Sequence, residues 1–166
     1  MKPKEILVFG ATGNIGRSLI RKFTQNNYKV VAVTRNIHQK GFQLKTQANP
    51  GYLELVELKK LDESKIKELF SSCSVCINLI GILFEKNKGQ FNKIHSVLPN
   101  ILSKIAKEKK IDQFIHISAL GVENALNSVY AKSKLDGENN VKKNFKNSII
   151  LKPSIVYGID DNFTTN

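Results

Sequence analysis

Two groups of residues have the types and spacing that catalysis or tight ligand binding requires. The first is the segment Gly10–Arg17, in which glycines at positions 10, 13 and 16 follow an apolar run and lead into a helical pattern. Glycine permits a tight turn and a close approach of the backbone to a pyrophosphate, and the third glycine lets the helix pack against a sheet. Free N–H groups at the helix start attract the anion. At the first strand–helix junction, this segment predicts dinucleotide binding.

The second group is Tyr130 and Lys134, four residues apart in a helical pattern, together with Ser118 at the end of an apolar run. Residues at positions i and i+4 share one face of a helix. Because an ammonium group favours an ionised phenol nearby, we expect Lys134 to lower the pKa of Tyr130 and to allow proton exchange near neutral pH. Ser118 would orient a substrate oxygen beside Tyr130. These three residues form the candidate catalytic group.

A scaffold must position these residues, and the sequence predicts strands alternating with helices. The predicted strands are apolar runs at residues 6–9, 28–33, 52–58, 75–80, 113–118 and 149–151. The predicted helices lie at residues 15–23, 62–70, 91–109 and 129–145, with a short helix and loop in residues 35–50. Continuous apolar strands are typical of parallel sheets covered on both faces. Right-handed crossovers then predict an α/β fold, a doubly wound parallel sheet (Rossmann fold) of about six strands with helices on both faces.

The end of the second predicted strand bears on the choice of dinucleotide. Folds that prefer NAD usually place a carboxylate there for the ribose 2′-hydroxyl, whereas this chain has Val33, Thr34 and Arg35. Arg35 could instead contact a 2′-phosphate, and Arg17 could contribute through bidentate hydrogen bonds. We therefore expect NADP(H) to be favoured over NAD(H).

Composition and charge argue against several other classes of protein. The 166 residues suit one domain, and 26 Lys+Arg against 14 Asp+Glu give a formal net charge of +12. The lysines are scattered and lack interleaved aromatic residues, so nucleic acid is not an expected partner. No apolar run approaches the ~20 residues of a membrane-spanning helix, and the first residues do not resemble a signal peptide. We expect a cytoplasmic protein.

The two cysteines, Cys73 and Cys76, have the spacing C-x-x-C. Redox pairs share this spacing, but two cysteines cannot build a disulfide framework. None of the three histidines has a spacing that would complete a zinc site. We expect two small apolar side chains at the mouth of a buried strand, and no metal site.

With these motifs the sequence resembles the short-chain dehydrogenase/reductase superfamily, in its extended (epimerase/dehydratase-like) or atypical branch. The resemblance rests on the glycine loop, Asn78–Gly81, the Ser118, Tyr130 and Lys134 set, and Leu151–Gly158. It implies that Tyr130 donates or accepts a proton, that Lys134 holds the ribose, and that the segment after Leu151 flanks the nicotinamide. The cofactor-binding residues that it implies are Gly10, Thr12, Gly13, Asn14, Ile15, Gly16, Arg17, Arg35, Leu79, Gly81, Tyr130, Lys134 and Pro153.

Several stretches look more narrowly like the nucleotide-binding accessory subunit family of respiratory complex I and its bacterial relatives. They include Val8–Arg17, His116–Gly121, Tyr130–Glu138 and Lys152–Phe163. This resemblance implies a tightly held NADPH with a structural or assembly role. It also implies the peripheral arm of complex I as partner and a peripheral position on the inner face of the respiratory membrane.

The chain departs from the superfamily pattern at several positions. Asn14 replaces a usual aromatic residue, which suits the atypical branch, including NmrA-like redox-sensing proteins. Lys59 and Lys60 stand where an Asp and an apolar residue usually meet the adenine edge, and His95 stands where many extended members have Asn. We expect residues 1–166 to form one NAD(P)-binding domain that lacks the C-terminal substrate region of the family.

Three functions remain open from the sequence. The first is a complex I accessory protein with bound NADP(H), and the second is an NAD(P)-dependent oxidoreductase or nucleotide-sugar epimerase/dehydratase. The third is an NmrA-like redox-sensing regulator. The intact set of Ser118, Tyr130 and Lys134 favours the second function, whereas the missing substrate region argues against turnover by this chain.

Overall fold

The computed structural model describes residues 5–157, which contain one six-stranded parallel sheet. The strand order is β3-β2-β1-β4-β5-β6, so the order reverses between β1 and β4. In doubly wound sheets, ligands bind at the carboxyl ends of the strands beside such a reversal. The predicted fold is therefore confirmed. The strands are β1 (Glu5–Phe9), β2 (Lys29–Thr34), β3 (Leu53–Glu57), β4 (Cys73–Asn78), β5 (Gln113–Ile117) and β6 (Ile149–Leu151).

Five α-helices connect the strands and cover the two faces of the sheet. They are α1 (Asn14–Gln25), α2 (Phe42–Gln47), α3 (Glu63–Leu69), α4 (Leu98–Glu108) and α5 (Val129–Asn144). Two π-helical segments, Ile37–Gly41 and Asn92–Val97, lead into α2 and α4, and a 3₁₀ turn spans Val122–Asn124. Each helix lies where the sequence predicts one, with ends that differ by a few residues.

The segment before α4 differs from the expected regular helix over residues 91–109. It is π-helical over Asn92–Val97, and α4 begins at Leu98 with Pro99 in its first turn. In an α-helix the carbonyl of His95 would accept from the N–H of residue 99, which proline lacks. The freed carbonyl of His95 lies instead against Gly137 of α5, where there is no room for a Cβ. A wider π-helical turn accommodates this arrangement.

The core consists of two layers, one on each face of the sheet. Alternate residues of a strand point to opposite faces. Accordingly, Leu7 and Phe9 of β1 belong to the apolar cluster on one face, and Ile6 and Val8 belong to the cluster on the other. Burial on both faces explains why the strands are apolar throughout.

Cys73 and Cys76 are buried on β4 as free thiols. Burial raises the pKa of Cys73 to about 12 and holds the pKa of Cys76 well above its usual value. A thiol with a raised pKa is a poor nucleophile, so both side chains serve as small apolar residues, as predicted. β4 begins two residues earlier than expected, because Cys73 already pairs with Glu5 of β1.

No helix in residues 5–157 is long and apolar enough to cross a membrane. Within the same residues, no cluster of three or more His, Cys, Asp or Glu side chains could hold a metal ion.

Candidate functional site

The glycine loop lies between β1 and α1, at the reversal of strand order. Gly10 has a φ of +82°, in the left-handed region that favours glycine. A Cβ at Gly10 would lie 3.0 Å from backbone atoms of Leu79 and Ile80, which follow β4. Leu79 is fixed there by its N–H, which donates to the carbonyl of Phe9 at 2.9 Å. Glycine is therefore required where the first loop passes the fourth strand.

Among the described residues, neither a capping side chain nor an acidic residue of the first turn competes with an anion at the start of α1. Gly13 is the N-cap, no side chain caps the helix, and the first turn holds no acidic residue. Backbone hydrogen bonds within the loop run from the N–H of Gly13 to the carbonyl of Gly10 (3.1 Å) and from the N–H of Arg17 to the carbonyl of Gly13 (3.0 Å). Within the described residues, the N–H groups of Asn14, Ile15 and Gly16 have no protein acceptor.

Gly16 places the helix directly on the strand end. A Cβ at Gly16 would lie 2.5 Å from the carbonyl oxygens of Gly10 and Ala11, closer than real Cβ atoms come. The half-buried Thr12 completes the loop. The predicted glycine loop thus has the geometry that a diphosphate requires: a close backbone, an open helix N-terminus and no acidic side chain.

Lys134 lies beneath the loop that follows β4. Its ammonium nitrogen is buried and donates to the carbonyl of Ile117 at 2.9 Å. A Cβ at Gly81 would lie 3.6 Å from this nitrogen and 3.8 Å from Nε2 of His95. The structure therefore brings together the predicted residues Gly81 and Lys134. Burial lowers the pKa of Lys134 to about 8, against an opposing effect of the Glu138 carboxylate.

Tyr130 shares the face of α5 with Lys134 but not the predicted ionisation. Its ring packs edge-on against Phe91 (5.5 Å between centroids) and His95 (5.3 Å). Burial raises the pKa of Tyr130 above its usual value. The expectation that Lys134 lowers this pKa is therefore wrong. The physical reason is that burial disfavours the charged phenolate, and no opposing effect of the Lys134 ammonium offsets this desolvation.

Ser118 directly follows β5, as predicted, but its hydroxyl oxygen is buried. Its backbone N–H donates to the carbonyl of Leu151 at 2.8 Å. The hydroxyl has no hydrogen-bond partner among the described residues. The expected contact between Ser118 and a substrate oxygen stays a prediction.

The functional group that sequence reasoning missed is His95, on the π-helical segment. Its Nδ1 lies 2.9 Å from Oγ of Ser133, and its Nε2 accepts from the N–H of Ile82 at 3.1 Å. Because the Ser133 hydroxyl donates to the carbonyl of Tyr130 (2.7 Å), the Nδ1 of His95 must carry the proton. His95 therefore connects the loop after β4 to the helix that carries Tyr130 and Lys134.

Desolvation, aided by the charge of Lys134, lowers the pKa of His95 to about 4. His95 is consequently neutral at physiological pH. The only sequence signal for it was its place at a position where related proteins often have Asn.

A buried carboxylate, Glu138, was also missed. Its Oε2 lies 3.0 Å from the ammonium nitrogen of Lys152, which also contacts Glu123 at 3.1 Å. Lys152 directly precedes Pro153, whose carbonyl accepts from the N–H of Leu120 at 3.0 Å. The segment after β6 is thus held beside α5 and the loop after β5. The predicted residues Gly158 and Asp160–Phe163 lie outside the described residues.

At the carboxyl end of β2, Arg35 directly follows the strand and is exposed. No carboxylate ends β2, but Glu57 ends the neighbouring β3 and pairs in register with Thr34. Its Oε1 accepts from the N–H of Ile37 at 3.1 Å, and its Oε2 lies 3.2 Å from the ammonium nitrogen of Lys59. Sequence reasoning looked for this carboxylate at the end of β2 and, at the end of the third strand, considered only Lys59 and Lys60, so it missed Glu57.

Comparison with known proteins assigns the chain to a family. Residues 2–158 match the model of the NmrA-like family. The chain belongs to the NmrA-like family. This family assignment agrees with the atypical branch to which Asn14 pointed.

Among curated proteins, this member of the NmrA-like family is similar to complex I subunits. It is 30% identical over 156 residues to the mouse (Mus musculus) protein "NADH dehydrogenase (ubiquinone) 1 alpha subcomplex subunit 9, mitochondrial". The match covers 94% of this chain and 41% of the mouse protein. It is 25% identical to the "NADH-ubiquinone oxidoreductase 40 kDa subunit, mitochondrial" of Neurospora crassa, covering 93% and 41% of the two chains. The chain thus spans about two fifths of the length of these relatives, and the resemblance to the complex I accessory subunit is confirmed.

Solved structures confirm the epimerase/dehydratase-type fold of this NmrA-like chain. The UDP-glucuronic acid 4-epimerase of Bacillus cereus, solved in complex with NAD, has a TM-score of 0.75 at 24% identity and covers 93% of this chain and 57% of its own. A putative NAD-dependent epimerase/dehydratase from Bacillus halodurans has a TM-score of 0.78 at 18% identity. The match covers 96% of this chain and 74% of the Bacillus halodurans chain.

Proposed function

We propose that this chain is the NAD(P)-binding domain of a complex I accessory-type protein, with NADP(H) held in a structural or assembly role. The observation that carries the proposal is the open start of α1. There, three backbone N–H groups have no acceptor among residues 5–157, and the glycines of the loop leave space for a diphosphate. We extend the domain to all of residues 1–166.

The residues present fit a dinucleotide along the whole crevice. The N–H groups of Asn14, Ile15 and Gly16 would bind the diphosphate, and Thr12 lies beside them. Leu79 and Gly81 would border the centre of the cofactor, and Lys134 would hold the ribose next to the nicotinamide. The cofactor itself supplies hydride chemistry when bound. Arg17 and Arg35 would contact the adenosine end of the cofactor, and Tyr130 and Pro153 would lie at its nicotinamide end.

A structural role is supported by what the nicotinamide end lacks. The Ser118 hydroxyl is buried, and the pKa of Tyr130 is raised, so neither a substrate-orienting hydroxyl nor an activated phenol is in place. The similarity to the mouse and Neurospora subunits supports the peripheral arm of complex I as partner. It also supports a peripheral position on the inner face of the respiratory membrane.

A second function, an NAD(P)-dependent oxidoreductase or nucleotide-sugar epimerase/dehydratase, is favoured by the shared face of Tyr130 and Lys134 on α5. The "Ceramide reductase" of Caulobacter vibrioides, 26% identical over 161 residues, also supports this alternative. The family assignment supports a third, an NmrA-like redox-sensing regulator, which would bind the dinucleotide without chemistry.

Calorimetric titration of Gly13→Asp and Gly13→Ser with NADPH tests the nucleotide site. The φ of −76° at Gly13 suits any residue, and Asp and Ser are both good N-caps, so both variants should fold. The Asp carboxylate would occupy the diphosphate position and repel it, and we expect at least about a tenfold loss of affinity, well beyond the loss in Gly13→Ser. Equal affinities of the two variants would contradict the site.

The complex I role has its own test. A tagged full-length protein should co-purify with the respiratory complex from solubilised membranes. Its absence from membranes, with normal nucleotide binding, would leave the binding proposal intact and contradict the role in complex I.

A further inference from the structure

Three charged residues lie at the carboxyl ends of β2 and β3, where the adenosine of the proposed dinucleotide would bind. Thr34 and Glu57 are register partners, and the N–H of Leu58 donates to the carbonyl of Thr34 at 2.8 Å. The segments that follow these strands therefore emerge side by side. One carries Arg35 and the other carries Lys59.

Glu57 joins these two segments through its carboxylate. One oxygen accepts from the backbone N–H of Ile37, two residues after Arg35, and the other lies 3.2 Å from the ammonium nitrogen of Lys59. The Ile37 hydrogen bond, with the charges of Lys59 and His38, holds the pKa of Glu57 below its usual value, so Glu57 is ionised. The Lys59 ammonium thus contacts a carboxylate that is itself hydrogen-bonded to the segment that carries Arg35.

This arrangement bears on nucleotide choice. A lone carboxylate at the ribose end would favour a 2′-hydroxyl and repel a 2′-phosphate. Lys59 neutralises Glu57, and Arg35 then adds a second cation. The same strand end borders a cleft of about 380 Å³, lined by Glu57, Leu58, Lys59, Lys60, Asp62 and Lys65.

We propose that Lys59 determines the preference for NADP(H), binding the 2′-phosphate together with Arg35, while Glu57 is the positioning residue that holds Lys59 in place. The proposal rests on the nucleotide site proposed above. It gives a role to the Lys59–Lys60 pair that the resemblance to the superfamily left unexplained.

The test is calorimetric titration of NADPH and NADH into wild type, Lys59→Met, Lys60→Met and Glu57→Gln. Lys59 is largely exposed (76% of its side chain), so its replacement should leave the fold intact, as circular dichroism will verify. Lys59→Met should lower NADPH affinity about fivefold without lowering NADH affinity, as expected for the loss of one exposed charge contact. Glu57→Gln keeps an acceptor for Ile37 but loses the charged contact that holds Lys59, so the NADPH-to-NADH affinity ratio should fall; an unchanged or higher ratio would overturn the positioning role of Glu57.

Lys60→Met is the matched control, because it removes the same charge one residue away. An unchanged NADPH-to-NADH affinity ratio in Lys59→Met, or an equal drop in Lys60→Met, would overturn the role of Lys59. If the wild type binds neither dinucleotide, the proposed nucleotide site fails, and this inference fails with it.

Discussion

The ammonium group of Lys152 lies 3.0 Å from the carboxylate of Glu138, which is 1% exposed. This ion pair joins the end of β6 to α5, the helix with Tyr130 and Lys134. Glu138 also opposes the effect of burial on the pKa of Lys134. One buried carboxylate therefore supports both the segment expected to flank the nicotinamide and the lysine expected to hold its ribose.

Removing one partner of this pair should destabilise the fold strongly. Lys152→Met leaves the Glu138 charge buried, and we expect a loss of about 3 kcal/mol in the free energy of unfolding, measured with urea. The double variant Lys152→Met/Glu138→Leu removes both charges and should recover much of this loss. If the losses in the free energy of unfolding of Lys152→Met and Glu138→Leu, each measured alone, add up to that of the double variant, the pair is not coupled.

Gly137 should tolerate no side chain, because α5 contacts the carbonyl of His95 at this position. Gly137→Ala should lower the free energy of unfolding by about 2 kcal/mol through forced separation of the two segments. The exposed Asn139→Ala, on the same helix, is the control and should change stability by less than about 0.5 kcal/mol. A stabilised Gly137→Ala variant would contradict the close packing.

The strands and the glycine loop could be predicted because their signals are local. Apolar runs define strands buried on both faces, and glycines at positions 10, 13 and 16 follow the first run directly. The remaining features depend on contacts distant in the chain. The π-helical turn needs both Pro99 and Gly137, and the role of Glu57 depends on its register with β2. The pKa of Tyr130 depends on how deeply α5 is buried, which i,i+4 spacing does not reveal.

Stability should fall in acid because His95 is neutral in the folded chain. Its pKa falls from 6.5 to about 4, so between these values the unfolded chain binds a proton that the folded chain does not. The free energy of unfolding should therefore decrease as the pH falls from 6.5 to about 4. The pKa of His116 falls from 6.5 to about 3, so this residue extends the loss of stability down to about pH 3.

Urea titrations across this pH range measure the effect. His95→Asn removes the titrating ring and should show a shallower dependence on pH, whereas replacement of the exposed His38 by Asn should not. If the free energy of unfolding of His95→Asn depends on pH as steeply as that of the wild type, His95 is not the group that causes the loss of stability in acid.

The chain should not turn over NADPH with small carbonyl compounds. The Ser118 hydroxyl is buried, and the raised pKa of Tyr130 makes its phenol a weaker proton donor to a substrate oxygen. The absorbance of reduced nicotinamide should fall no faster with the protein present than in a protein-free control. Steady consumption of NADPH that is lost in Tyr130→Phe would contradict the structural role and support the oxidoreductase alternative.

The most direct test of the account is a crystal structure of the chain with NADPH. We predict diphosphate oxygens within about 3 Å of the backbone nitrogens of Asn14, Ile15 and Gly16, with the 2′-phosphate beside Arg35 and Lys59. A nucleotide that binds elsewhere, or a crevice that stays empty at saturating NADPH, would contradict the central claim.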